Sequence, residues 1–353
     1  MHRFDYSFLD AGVLPAELVN LISTISALNA ISEERKDRNR TVYTELEKIA
    51  RIQSVKGSNA IEGIITTDAR IREIVDGNSA PLNHTEMEIA GYRNALDEIH
   101  TANSEMVISE QTILHLHEVM TEATGYEGAG RYKTEDNIIA ETDEYGRRRL
   151  RFSPVPASRT PEAMEQLILA YIDARDNSRI NNLLLIPCVI LDFLCIHPFA
   201  DGNGRVSRLL TLLLMYKSGF GIGKYVSLEE QINLSKDYYY SSLHDSSQGW
   251  HTNENSYTEF MKNFLSTLYK CYKELDKRFS TVNGKKLKKS ERIEQTVLNS
   301  VLPISKSEIC AFLPDVSPTT VEAVLGKMVK DGTVKKLGMA RATKYVNAGF
   351  VKD

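Results

Sequence analysis

Four cysteines, one tryptophan and no long apolar run set the first limits on this chain of 353 residues. Cys188, Cys195, Cys271 and Cys310 are scattered, and none forms a CxxC or a Cys/His spacing that holds zinc. They are expected to be reduced, inert thiols. The most apolar stretch, LLLIPCVIL from Leu183, is about half of the ~20 residues that a membrane span needs. The opening residues, MHRFDYSFLDAG, hold no apolar core of the signal-peptide kind. These absences point to no membrane association and a cytoplasmic address. Also missing are GxxxxGK(S/T) and a GxGxxG that opens a helix after a strand, so P-loop and dinucleotide-binding designs fall away. GIGKY at 221–225 has the wrong first spacing and lacks the hydroxyl. No HExxH occurs, and His115 and His117, two apart on a predicted helix, point to different sides and make a poor zinc pair.

What the chain does have is helical periodicity. ELVNLISTISALNAISEERKDRN, TEMEIAGYRNALDEIHTAN, SEQTILHLHEVMTEATG and TPEAMEQLILAYIDARDNS each place apolar residues at i, i+3, i+4 and i+7, which predicts amphipathic helices. From Gly130 to Thr160 that period is lost. NIIA, a glycine turn at Gly146 and LRFSPVP suggest a short β-hairpin or flap inserted in a helical domain. A boundary falls near TVNGKKLKKS, 281–290, where charge accumulates. Beyond it, three short helices are predicted, the second and third capped by Ser305 and Ser317, followed by a two-stranded wing with Gly338 mid-way. That layout resembles a winged helix-turn-helix, whose third helix often enters the DNA major groove. The net charge is −4, yet residues 285–353 hold 13 Lys and Arg against 7 Asp and Glu. A basic tail fits phosphate contacts, and a solvated basic surface fits equally well. The third helix offers only Lys327 and Lys330 as bases, so residues 285–353 are a module for DNA, for a protein partner or for homodimer contacts. The expected organisation is an N-terminal helical region over 1–95, a core over 96–280 with the flap at 130–160, and the small domain over 281–353.

The chemistry concentrates in HPFADGNGR, residues 197–205. Asp-Gly and Asn-Gly are strong turn signals, and the flanks CVILDFLCI and VSRLLTLLLMYKSG are long enough for buried helices. The loop then feeds the second helix's N-terminus, where free N–H groups and the positive dipole end form an anion site. Glycines let a phosphate approach the backbone. Arg205 and Arg208, three apart, share a helix face and can neutralise phosphate oxygens together. Asp201 supplies one hard oxygen ligand, and one carboxylate plus substrate phosphates is a common way to hold Mg²⁺. His197 is a base near neutral pH.

With those residues set out, HPFADGNGRVSR from His197 to Arg208 resembles the complete signature of the Fic (filamentation induced by cAMP) family, HPFx(D/E)GNGRxxR, with no departure at a defining position. The resemblance extends to GRYKTEDNIIA, RFSPVPASRTPEAMEQLI and YYYSSLHDSSQGW, which are similar to the family's flap, the connection after it and the segment after the signature helix. It implies a mainly helical Fic fold with a small β-hairpin flap, and an enzyme that transfers AMP from MgATP to a Ser, Thr or Tyr hydroxyl on a target protein and on itself. By the same implication, His197 takes the hydroxyl proton, and Asp201 holds Mg²⁺ between the α- and β-phosphates. Gly202, Asn203 and Gly204 cradle phosphate oxygens, and Arg205 and Arg208 bind the outer phosphates. Phe199 anchors the loop, Tyr239 and Tyr240 contact the nucleotide, and Ile138 and Ile139 align the target as an added strand.

Upstream, SNAIEG from Ser58 to Gly63 fits the family's inhibitory pattern (S/T)xxxE(G/N). In that reading the N-terminal region carries an inhibitory helix, and Glu62 pairs with Arg208 and keeps ATP in an unproductive pose. Other outcomes on the same fold are transfer of a phosphate or phosphocholine, or removal of AMP from a modified target. Outside enzymes, the alternative is a DNA-binding regulator that senses nucleotide.

Overall fold

The computed structural model describes residues 2–142, 148–283, 288–298, 300, 303–313, 315–338 and 343–348. They form two compact units, Met1–Asn29 with Ala50–Cys271, and Ala30–Ile49 with Tyr272–Asp353. This division falls inside three long helices, and it does not coincide with the sequence boundaries at 95 and 280. The helices are α1 (Phe8–Ala11), α2 (Ala16–Arg38), α3 (Arg40–Ile61), α4 (Asp68–Val75), α5 (His84–Ala102), α6 (Glu110–Thr121), α7 (Thr160–Asp176), α8 (Asn182–Ile196), α9 (Asn203–Lys217), α10 (Leu228–Leu234), α11 (Lys236–Ser247), α12 (Thr258–Asn283), α13 (Lys289–Leu298), α14 (Lys306–Phe312) and α15 (Pro318–Lys330).

In the larger unit, α8 and α9 pack on each other, with α7 against α8 and α5 and α6 against α9. The apolar run expected to be a buried segment is α8, whose side chains are buried except at Asn182 and Leu194, as an all-round apolar helix must be. Its start is set by Asn181, whose side chain accepts from the Leu183 N–H. Its one acid, Asp192, is fully buried and accepts from Tyr6 Oη (2.7 Å), Trp250 Nε1 (2.8 Å) and Tyr257 Oη (2.9 Å). Burial pushes its carboxyl up to about 7 in spite of those donors. The Asn83 and Ser109 side chains cap α5 and α6 in the same way as Asn181.

The flap is a hairpin of β1 (Ile139–Thr142) and β2 (Arg148–Phe152), antiparallel, with Ile139 opposite Phe152 and Thr142 opposite Arg148. A register irregularity between Ile139 and Ala140 bends its base. The glycine turn expected at Gly146 lies outside the described residues.

In the smaller unit, α13, α14 and α15 accompany an antiparallel sheet of β3 (Ile304–Ser305), β4 (Val334–Leu337) and β5 (Lys344–Asn347), ordered β3-β5-β4. Ser305 and Ser317 cap α14 and α15 as expected, Ser305 in a full capping box with Glu308, and Pro318 opens α15. The two strands expected on either side of Gly338 are β4 and β5, and the short β3 joins them as a third that was not expected. Ser305 takes the extended conformation that a cap requires, and with Ile304 it pairs to Lys344 and Tyr345 of β5.

Candidate active site

The sequence HPFADGNGR joins α8 to α9. His197 caps α8 with φ 53°, one of two non-glycine residues at positive φ among the described residues, a costly conformation that surrounding structure must hold in place. Its backbone N–H donates to Phe193 O at 2.9 Å. Its Nδ1 lies 3.3 Å from Leu194 O. A carbonyl only accepts, so Nδ1 carries the proton and Nε2 is left with its lone pair. Burial pushes the imidazole down to about 4, so the ring is neutral at pH 7.

Below the loop, Phe199 is fully buried and stacks on His117, centroids 3.8 Å apart. His117 Nε2 donates to Asp201 O at 3.2 Å and Nδ1 accepts from Gly130 N at 3.1 Å, while burial pushes this imidazole, too, down to about 4. Lys133 donates from its backbone to Pro198 O (2.9 Å) and from Nζ to Ile196 O (3.2 Å). The segment before the flap is thus the loop's scaffold.

Asn203 braces the loop with its side chain. Its Oδ1 accepts from Phe199 N at 2.9 Å and its Nδ2 donates to Phe199 O at 2.7 Å, which closes the loop on itself. Only its backbone N–H, with those of Gly204 and Arg205 at the start of α9, is left for an anion. Asn203→Ala strands the buried Phe199 N–H, and a stability loss of about 2 kcal/mol is expected. The midpoint of urea unfolding measures it.

Arg208 is buried, and its Nε and Nη2 are held by α3 and its C-cap. Nε donates to Ser58 Oγ at 2.8 Å, and Nη2 to Ser58 O at 3.0 Å and to Glu62 Oε1 at 2.8 Å. Glu62 stands at the C-cap of α3. Gly63 follows at φ 80°, with Gly63 N bonded to Ala60 O (3.1 Å) and Ile64 N to Asn59 O (3.0 Å). This Schellman pattern ends the helix and aims the carboxylate. The close approach also explains Gly204, where a Cβ would lie 2.3 Å from Glu62 Oε1.

Arg205 faces elsewhere. Its Nη1 pairs with Glu88 Oε1 of α5 at 3.0 Å and its Nη2 with Asp201 Oδ2 at 3.3 Å, and Asp201 is otherwise exposed. The two arginines therefore do not act on one patch in this state. Glu88 draws Arg205 to a cavity of 330 Å³ bounded by Asp201, Gly202 and Asn203, while Arg208 faces one of 390 Å³. Glu62, His197 and Gly204 line both.

The larger cavity is walled by Leu191 and Leu194 of α8, by Tyr239 and Tyr240 of α11, and by the flap through Ile139, Ala140 and Arg151. Tyr239 is buried, and burial raises the Tyr240 hydroxyl to about 12, so both rings are neutral. Arg151 hydrogen-bonds Tyr240 O and lies 5.5 Å over its ring. Ile138 is exposed, outside β1 and not among the cavity's lining residues. Sequence reasoning missed Glu88, His117, Lys133, Arg151 and Lys236. Among the described residues no three or more His, Cys, Asp and Glu side chains group as metal ligands, which leaves Asp201 as the loop's one carboxylate.

A family model described as Fic/DOC family matches residues 107–215, a span that includes the loop, α6, the flap, α7, α8 and most of α9. The chain carries a Fic domain. It is 28% identical over 137 residues to a Fido domain-containing protein of Dictyostelium discoideum, a match spanning 38% of this chain and 94% of that one. It is also 28% identical over 184 residues to a protein adenylyltransferase Fic of Nematostella vectensis, spanning 49% of this chain and 39% of that protein. In fold it is similar to the crystal structure of a Fic family protein from Desulfovibrio desulfuricans, with a TM-score of 0.63, 19% identity, and coverage of 97% of this chain and 99% of the other. Outside the Fic domain, α3 and its C-cap supply Ser58 and Glu62, the two residues that hold Arg208.

Proposed function

We propose that this protein is an adenylyltransferase that moves AMP from MgATP to a hydroxyl side chain of a target protein and of itself, and that Glu62 restrains it. The Fic domain supports transferase chemistry, and similarity to a Fic adenylyltransferase supports the choice of AMP. The observation that carries the reading is the meeting of Glu62, Arg208, Gly204 and a neutral His197 at one cavity. In the proposed reaction the target hydroxyl oxygen attacks the α-phosphorus while His197 Nε2 accepts its proton. The bond from the α-phosphorus to the bridging oxygen breaks, and pyrophosphate departs with those electrons. Backbone N–H groups at the start of α9 and the two arginines offset the charge, which is where phosphoryl-type transfer needs most help. Asp201 is the residue that would hold Mg²⁺ arriving with the nucleotide, and the ion would supply positive charge to offset the phosphates. Tyr239, Tyr240 and the apolar wall hold the base end, and the edge of β1 receives the target.

Label position tests it. In a Glu62→Gly variant, protein becomes labelled from α-labelled MgATP and not from γ-labelled MgATP. Labelling from the γ-position indicates phosphate transfer, and loss of AMP from a premodified substrate indicates the reverse reaction.

For residues 285–353 we propose a winged-helix module, supported by the order α13, β3, α14, α15, β4, β5 and by β3-β5-β4 pairing. The exposed face of α15 carries Glu322 beside Lys327 and Lys330 and is close to neutral. This favours a protein partner or a second copy of the chain over DNA. A gel shift with duplex DNA in low salt is expected to show no complex.

A further inference from the structure

We propose that Lys236 is a positioning residue that latches the end of α3 and so keeps Glu62 on Arg208; this rests on the restraint by Glu62 proposed above. The last carbonyls of a helix have no partner of their own, and its C-terminus carries partial negative charge. In α3 the Schellman turn satisfies Asn59 O and Ala60 O. The next carbonyl, Ile61 O, accepts from Lys236 Nζ at 2.6 Å. That carbonyl belongs to the residue immediately before Glu62. The ammonium therefore fixes the peptide from which the inhibitory carboxylate projects.

A second feature makes the position of α3 depend on this corner. Gly57 lies one turn earlier, where a Cβ would come within 2.8 Å of Glu230 N at the start of α10. The helix is thus seated against the start of α10 through Gly57 and against the start of α11 through Lys236. Of the two residues that hold Arg208, Ser58 lies between these seats and Glu62 comes directly after the second.

Lys236 also lies beside a residue that lines the cavity. Its Nζ lies 5.7 Å from the Tyr240 ring centroid, one helical turn along α11, and Arg151 of the flap lies over the same ring at 5.5 Å. Removal of the latch is expected to loosen the α3 end without removing any group that binds phosphate.

The test uses the full-length protein. Lys236→Met keeps the apolar stem and removes the donor, and Lys236→Arg keeps a donor. Hydrogen–deuterium exchange of the peptide over 57–65 should quicken about tenfold in Lys236→Met, the scale of a lost charge-assisted bond, and stay slow in Lys236→Arg. AMP transfer should rise about fivefold to tenfold in Lys236→Met. In a Glu62→Gly background the same substitution should add nothing, because the carboxylate it positions is gone. Unchanged exchange in Lys236→Met overturns the latch, and so does a gain that persists undiminished without Glu62. If Glu62→Gly transfers no AMP, the adenylyltransferase reading fails while the exchange measurement still decides the role of Lys236.

Discussion

Glu62→Gly is expected to raise AMP transfer about a hundredfold, the scale of gaining one charged donor at a developing negative charge. In the resting protein Arg208 spends its hydrogen bonds on Ser58 and Glu62, and the carboxylate sits over Gly204 where a phosphate would approach α9. Glycine removes the carboxylate and keeps the turn, since the residue after it already holds the left-handed conformation. The buried guanidinium then lacks a counter-charge, which both weakens the free protein and strengthens the pull on an anion. Glu62 is one-third exposed, so the stability loss is set at about 1–2 kcal/mol, below that of a fully buried pair. Saturating MgATP should restore it by binding only the folded form. Initial rates with α-labelled ATP and thermal midpoints with and without MgATP measure both halves.

Against that activated background, His197→Ala should lower the rate by about 10²–10⁴-fold, the contribution of a placed general base. Nucleotide binding should survive, which calorimetric titration with a non-hydrolysable analogue would show. The pH profile separates the base from a mere packing residue. With its pKa held at about 4 by burial, the imidazole is already unprotonated from pH 5.5 to 8, so the rate stays flat there. A base at the ordinary 6.5 would lose about tenfold by pH 5.5. The same depression has a cost in stability. An unfolded imidazole binds its proton at about 6.5, so the folded state loses stability as pH falls from there towards 4. His117, depressed in the same way, adds to that loss.

The candidate site was legible because its residues are local in sequence. Within His197–Arg208 a base, a carboxylate, glycines and two arginines follow one another at a predicted helix start, and the Fic domain found at 107–215 includes them. The helices were legible from their apolar period, and Ser305 and Ser317 from cap chemistry. What was not legible depends on packing between distant segments. Glu88 reaches Arg205 only because α5 lies against α9. His117 supports Phe199 from 82 positions away with nothing in its own helix to mark it. Lys236 meets Ile61 O across 175 positions, and a backbone carbonyl leaves no trace in sequence. The side-chain role of Asn203 was not legible either, because the buried N–H and carbonyl of Phe199 that it meets are set by the folded turn. β3 was missed because two residues carry no period.

The claim on which the account stands is that Glu62 acts through Arg208. Intact-mass measurement of AMP adducts after incubation with MgATP tests it in three proteins: wild type, Glu62→Gly, and Glu62→Gly with Arg208→Ala. The expected result is an adduct that accumulates in Glu62→Gly alone. Equal adduct in Glu62→Gly and in the double variant, or in the wild type, would contradict it.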